Sequence, residues 1–450
     1  EQAAQIKRLD LRGIYFEDDF KRMYPHRETA AQVIGIVGSE ENGLEGLELK
    51  LNSILEGRTG TVRVKRYGNG SLLAPDRTTR AALKGHSVVL TIDKKIQYLS
   101  EQALEKTVQE NQAASGMALV MKPSTGEMLA IAHFPRFNPN NYMGLDKAVF
   151  RNRSVTDPFE PGSVTKIFTA AAAIEKGFSP RSIFYCENGT YAIGDFTIHD
   201  THPHHWLSIN QIIKFSSNIG AAKIVETLGY KSLYTHLTAF GFGQKTQIGC
   251  PAETTGRLRH HRRWSQIDAG AIAFGQGLSV SAVQLISAVS AIANDGRLMQ
   301  PFLVKKILSN TGETQRVNHP RMIRQAVARQ TARKIKKMMS MAVQEDGTGY
   351  KAAIKGYAVC GKTGTAQKVA GKNKGYSKTD YIAVFAGFAP LDNPQLAVLV
   401  VVDEPRKNYY GGDVAAPAFR TILADTFSYL NIPPESDQPL LADAMTGERQ

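Results

Sequence analysis

Three short groups of residues carry reactive side chains, in the order Ser163-Val-Thr-Lys166, Ser216-Ser-Asn218 and Lys362-Thr-Gly-Thr365. The first sets an amine three residues after a hydroxyl, which on a helix puts both on one face a turn apart. A serine hydroxyl is a weak nucleophile until a base takes its proton. A lysine desolvated in a cleft loses enough basicity to be that base. Glu160-Pro161-Gly162 breaks the chain just before Ser163, and an alanine-rich apolar run then extends to Lys176-Gly177. Ser163 is therefore expected at or near a helix N-terminus, where free N–H groups and the dipole favour developing negative charge. Taken alone, this spacing more often marks a capping serine and a surface lysine.

The second group sits inside an otherwise apolar helical pattern, Ile209 to Leu228. Ser and Asn compete with the backbone for hydrogen bonds, so a break or exposed bend is expected there. It would turn Ser216 and Asn218 toward a groove, Ser216 to relay a proton and Asn218 to hold a substrate amide. A polar kink in a surface helix is the plainer reading. The third group follows a strand-like run, Ile354–Cys360. Alternation puts Lys362 and Gly364 on one face of a strand, with Thr363 and Thr365 on the other. Gly364 admits a ligand backbone. Lys362 and the threonine hydroxyls suit a substrate carboxylate, and an N–H near Thr365 would complete an oxyanion hole with that of Ser163. Together the groups equip a serine acyl-transferase that works without histidine.

The third group also spells a phosphate loop. Gly356-Tyr-Ala-Val-Cys-Gly361-Lys362-Thr363 fits G-x-x-x-x-G-K-[ST], and Leu396–Val402 with Asp403-Glu404 resembles a Walker B strand. A nucleotidase needs a helix to begin at the Lys-Thr so that its N-terminus meets the phosphates. Here Gly364-Thr-Ala-Gln-Lys-Val-Ala-Gly follows, a poor helix, so this reading ranks far behind acyl transfer.

The elements that must position these groups come from the apolar pattern. Val88–Asp93 reads as a strand whose Asp93 caps a helix over 94–111. Runs 117–122 and 127–132 form a hairpin about Gly126, helical periodicity recurs over 163–176, 209–228, 279–294, 329–344 and 414–430, and 354–360, 381–389 and 395–402 are strand-like. Strands at both ends of a helical middle imply an α+β fold, a sheet with helices clustered on one face. Residues 1–88 are polar and glycine-broken, an extended and partly strand-forming region. From Pro433 to Gln450 a mobile tail is expected.

Length and charge bound the rest. The 450 residues suggest two or three units, and the net charge of +14 raises the question of an anionic partner. The densest basic run, Arg257-Leu-Arg-His-His-Arg-Arg263-Trp264, lacks any nucleic-acid signature and reads as a solvated loop, so no nucleic acid is expected. His199-Asp-Thr-His202-Pro-His204-His205 is interrupted by proline and irregularly spaced, and reads as a loop without metal. Cys186, Cys250 and Cys360 lie far apart and form no paired motif. No apolar run reaches membrane-spanning length, and the chain starts at Glu1, which suggests a soluble piece of something longer.

Around the three groups, Phe137-Asn-Pro-Asn-Asn-Tyr142, Arg151-Asn-Arg153, Phe159-Glu-Pro-Gly-Ser163, Phe274-Gly-Gln-Gly277, Lys351–Tyr357 and Tyr409-Tyr410-Gly411-Gly412 resemble class B penicillin-binding proteins. The match runs from about Gly13 to Pro433 and is most like the division-specific, septal transpeptidases. The resemblance implies an α+β transpeptidase domain of the penicillin-binding-protein/β-lactamase type, with a five-stranded antiparallel sheet flanked by helices plus a helical subdomain. That domain would occupy 89–432, after the remainder of a truncated, elongated pedestal at 1–88 and before a tail at 433–450. It implies Ser163 as nucleophile, Lys166 as its activator, and Ser216, Asn218 and Lys362 lining the cleft. Thr363, Gly364, Thr365, Tyr410 and Gly411 would bind substrate. It also implies peptidoglycan stem peptides as substrate, β-lactam antibiotics as acylating inhibitors, and no metal or organic cofactor. Further implied are a glycosyltransferase and other divisome partners, and an inner-membrane anchor through an N-terminal helix with the catalytic domain in the periplasm. One departure is minor: Val-Thr stands between Ser163 and Lys166 where Thr-Val is expected. A β-lactamase would be shorter and carry a deacylating Glu-x-x-Leu-Asn loop, which is missing. A D,D-carboxypeptidase or β-lactam sensor of the same fold differs in ways the sequence leaves open.

Overall fold

In the computed structural model, residues 2–435 are described apart from 12, 15, 17–20, 59, 61–66, 69–82, 195 and 370–374. Five strands form the central sheet: β1 (Ser115–Met121), β2 (Met128–Phe134), β3 (Cys360–Val369), β4 (Tyr376–Ala389) and β5 (Leu396–Asp403). Their order is β3-β4-β5-β1-β2, every pair antiparallel, so β3 is an edge strand. Helices α1 (Lys94–Glu110), α2 (Lys166–Glu175), α3 (Ile209–Phe215), α4 (Asn218–Leu228), α5 (Tyr230–Ala239), α6 (Gln266–Ala273), α7 (Ala282–Ala293), α8 (Arg329–Met341) and α9 (Gly411–Tyr429) surround it.

Antiparallel sheets commonly keep one wet face and alternate apolar with polar residues. Here Leu396-Ala-Val-Leu-Val-Val-Val402 is apolar throughout and buried throughout. The alternation sorts it into two cores. Ala397, Leu399 and Val401 join Leu119, Val384, Phe388 and the α7 side chains, while Val398, Val400 and Val402 join Val120, Phe385 and the α1 and α9 side chains. A sheet covered on both faces is a rigid support, and β3 presents its outer edge to the helical cluster built from α2 to α6.

Local signals account for the ends of these elements. Asp93 accepts from the N–H groups of Lys95 and Ile96 and caps α1. Three expectations need correction. The strand preceding Lys362 begins at Cys360, not Ile354, because Ile354 and Tyr357 close a tight turn. Helices cover both faces of the sheet, α7 on one and α1 and α9 on the other, not one face alone, while the break expected within 209–228 falls at Ser216, between α3 and α4. The N-terminal region is built, where described, mainly from short helices at 2–8, 31–34, 46–50 and 52–55 with isolated bridges, and its described strand, Ser87–Leu90, starts only at its end. Much of its expected extended part, 59 and 61–82 except Tyr67 and Gly68, lies outside the described residues. Of the expected mobile tail, Glu435 is docked, its N–H on the Gly356 carbonyl and its carboxylate accepting from Ala358, and 436–450 lie outside the described residues.

The N-terminal region is seated on the larger unit by polar clamps. Asn140 holds the backbone of Tyr24 at both ends, at 2.9 and 2.8 Å, and Tyr142 donates to the Val37 carbonyl. Arg136 faces Glu28, Glu101 and Glu105, and Glu101 also accepts from Ala30 N–H. The basic run at 257–264 is a loop with one 3-10 turn, in which Arg259 pairs with Asp268 and Trp264 is buried, donating to the Arg259 carbonyl. All three cysteines are buried and free.

Candidate active site

The chain reaches the nucleophile through a strained entry. Gly162 has φ of 54°, and a Cβ there would stand 2.9 Å from the Thr365 carbonyl oxygen. Glycine is therefore required twice over, for the left-handed backbone and for contact with β3. Ser163 lies in the 3-10 turn 162–165, which runs directly into α2 with Lys166 as its first residue. The hydroxyl is half-buried and the amine is buried, Lys166 being 1% exposed.

Lys166 Nζ stands 2.8 Å from Ser163 Oγ, 2.5 Å from the Ser216 carbonyl oxygen, 2.7 Å from Asn218 Oδ1 and 3.2 Å from Ser216 Oγ. Two of these partners fix the amine. The Ser216 carbonyl only accepts. The Asn218 amide is oriented because its Nδ2 donates to the His199 carbonyl at 2.9 Å, leaving Oδ1 for the amine. A neutral amine has two N–H groups and one lone pair. Both N–H groups are thus claimed, and the lone pair is left facing Ser163 Oγ. Burial pulls the Lys166 pKa down to about 7, against the opposing pull of Asp200, so the neutral form is accessible at physiological pH.

The break between α3 and α4 supplies this geometry. Ser216 terminates α3 in the left-handed region, φ 62°, with its N–H on the Ile212 carbonyl. Its carbonyl then points at Lys166 and its hydroxyl reaches across the cleft. Lys362 Nζ donates to Ser216 Oγ at 2.8 Å, so one hydroxyl lies between two buried amines. Lys362 is fully buried, and burial and then the charge of Lys166 hold its pKa well below the ordinary lysine value.

On β3, Gly364 faces the nucleophile turn, where a Cβ would meet the Pro161 carbonyl oxygen at 2.7 Å and Val164 at 3.0 Å. Thr363 and Thr365 face the other way. Thr363 Oγ1 donates to Thr348 Oγ1 at 3.2 Å, and Thr365 Oγ1 accepts from Gly411 N–H at 3.1 Å. Gly411 opens α9, and a Cβ there would collide with the Gly364 and Val384 carbonyl oxygens at 2.3 Å. Tyr410 stands beside it, exposed, in a row with Tyr409 and Tyr381 at ring separations of 4.5 and 4.3 Å. Of the ten residues singled out by sequence, Ser163, Lys166, Ser216, Asn218 and Lys362 are joined by hydrogen bonds between β3 and the α3–α4 break. Thr363, Gly364, Thr365 and Gly411 adjoin them along β3 and the start of α9, and Tyr410 is exposed beside Gly411.

Three participants were missed. Asp200 accepts from the Asn218 and Ile219 N–H groups and from Ser217 Oγ, and in the sequence it is hidden among histidines. Glu160 holds the Gly277 N–H, joining the Phe274–Gly277 loop to the nucleophile turn. Thr348 has no local signal at all. The phosphate-loop reading is overturned: Lys362 and Thr363 lie inside β3 of an antiparallel sheet, and no helix starts at them.

The chain matches the penicillin binding protein transpeptidase domain over 116–424 and the penicillin-binding protein dimerisation domain over 1–90. It belongs to the penicillin-binding proteins, with the two-part composition of the class B enzymes, and is a peptidoglycan D,D-transpeptidase. It is 37% identical over 446 residues to the probable peptidoglycan D,D-transpeptidase PbpC of Pseudomonas aeruginosa, covering 98% of this chain and 77% of that one. Against peptidoglycan D,D-transpeptidase FtsI of Escherichia coli the identity is 33%, with coverage of 97% and 72%. Among solved structures it is similar to apo penicillin binding protein 3 of Mycobacterium tuberculosis, at TM-score 0.84 and 33% identity, over 93% of this chain and 92% of that one. Among the described residues no helix is long and apolar enough to cross a membrane.

Proposed function

We propose that this transpeptidase cross-links stem peptides during septal wall synthesis through an acyl-enzyme on Ser163. The observation that carries the assignment is the Lys166 amine, buried, short of counter-charge, with its lone pair left for Ser163 at 2.8 Å. Lys166 takes the hydroxyl proton as Ser163 Oγ attacks the penultimate D-Ala carbonyl of a donor stem. Collapse of the tetrahedral intermediate breaks the C–N bond, and the proton passes through Ser216, between Lys166 and Lys362, to the departing D-Ala amine. An amine of a neighbouring stem then attacks the ester, forms the cross-link and returns the hydroxyl. N–H groups of Ser163 and Thr365 stabilise the oxyanion, a role supported by the contact of Gly162 with Thr365. Asn218 holds the donor amide. Lys362, Thr363 and Thr365 bind the donor's terminal carboxylate, with Gly364, Tyr410 and Gly411 shaping that end of the cleft.

The Mycobacterium tuberculosis protein has been solved with aztreonam and with ampicillin, and we infer that β-lactams acylate Ser163 here. The organisation that goes with this reading is a pedestal at 1–88, a transpeptidase domain at 89–432 and a tail at 433–450. It also entails an inner-membrane anchor preceding the pedestal, a periplasmic catalytic domain, and a glycosyltransferase and other division proteins as partners. The test is turnover of a donor stem peptide with an amine acceptor. Cross-linked product and released D-Ala are expected from the wild type and neither from Ser163→Ala; product from Ser163→Ala would refute the assignment.

A further inference from the structure

We propose that Asp200 is a positioning residue for acyl transfer, which fixes the Ser216–Asn218 turn and supplies the negative charge felt by the Lys166 amine. It lies in the histidine-rich segment, one residue beyond the strand Phe196–His199. Its Oδ1 accepts from the N–H groups of Asn218, at 2.5 Å, and Ile219, at 3.1 Å, and its Oδ2 accepts from Ser217 Oγ at 2.5 Å. Ser217 Oγ in turn accepts from Gly220 N–H at 2.8 Å and is the N-cap of α4. The free N–H groups at a helix start need acceptors, and a carboxylate is favoured there by the dipole. His199 adds its carbonyl to Asn218 Nδ2, so two adjacent residues fix both the backbone and the amide of Asn218.

Two consequences follow for the chemistry. Ser216, the residue before this cap, holds a left-handed conformation that a side chain adopts only when its surroundings enforce it. Anchoring the start of α4 is that enforcement, and it aims the Ser216 carbonyl at Lys166. The second consequence is electrostatic. Lys166 is faced by Ser163 from the nucleophile turn, by Ser216 and Asn218 from the α3–α4 break, and by Lys362 from β3 beyond Ser216. Asp200, behind Asn218, is the carboxylate whose charge acts on it, raising a pKa that burial lowers. Asp200 therefore moves the acid limb of the acylation rate upward from where burial alone would put it.

This inference rests on the acyl-transfer role of Ser163, and labelling of the wild type by a fluorescent penicillin is the control that separates the two. Asp200→Asn keeps an oxygen for the backbone donors and removes the charge. Its acid limb is expected to move to lower pH by roughly half a unit or more. Asp200→Ala removes the anchor as well, and its acylation rate constant is expected to fall about tenfold or more at every pH. A limb in Asp200→Asn that stays in place or moves up overturns the proposal, as does Asp200→Ala acylating within about twofold of the wild type. A role confined to stability would leave the limb of Asp200→Asn unmoved, so that variant decides even where Asp200→Ala fails to fold.

Discussion

Strand β3 carries two lysines, Lys362 and Lys368, in opposite environments. Lys368 sits between Asp403, at 2.9 Å, and Glu404, at 2.7 Å, and these partners raise its pKa against the cost of burial. Asp403 also pairs with Arg153, and Glu404 with Arg406, so a charge network ties β3 to the ends of β4 and β5 and to the segment after β2. Lys362 is more deeply buried, yet among the described residues it has only hydroxyl and carbonyl partners, and its pKa is depressed. A buried cation given carboxylates is held charged and serves the scaffold. One given only neutral acceptors is poised to lose its proton, as chemistry requires. Lys166 belongs with Lys362.

The comparison can be broken by substitution. Lys166→Ala is expected to lower the penicillin acylation rate about a thousandfold or more, with the fold retained, because it removes the base itself. Lys362→Ala should cost roughly ten- to a hundredfold, since it deprives Ser216 of its partner and the donor carboxylate of an N–H donor, while Lys166 still faces Ser163. Stopped-flow acylation separates the two. Lys368→Ala should leave acylation within about threefold and cost roughly 1 kcal/mol in urea unfolding, a partly exposed ion pair contributing little. Equal kinetic losses in all three variants would erase the distinction between reactive and structural lysines.

Much of this was legible in the sequence because the chemistry is local. Lys166 follows Ser163 by one turn, and Lys362, Thr363 and Thr365 sort by strand alternation, so spacing alone places them. The break at Ser216 was visible because serine and asparagine suit a helix interior poorly. What was illegible is what comes from distant segments. Asp200 meets Asn218 only through the packing of the strand Phe196–His199 against α4, and Thr348 meets Thr363 only through tertiary folding. Tyr357 and Ala358 read as strand by composition, yet the chain closes a turn there and pairs with the segment near Glu435 instead. The depressed basicity of Lys166 is a property of burial, which no motif encodes.

Whether neutral Lys166 deprotonates Ser163 is decided by the pH dependence of acylation, with the adduct mapped by mass spectrometry. Burial lowers the Lys166 pKa, so the competent neutral form grows as pH rises through about 7 and is lost as pH falls below it. A penicillin adduct on Ser163 alone is expected, with a rate that climbs through an inflection near pH 7. An adduct on another residue, or a rate that is flat from pH 5 to 9, would contradict it.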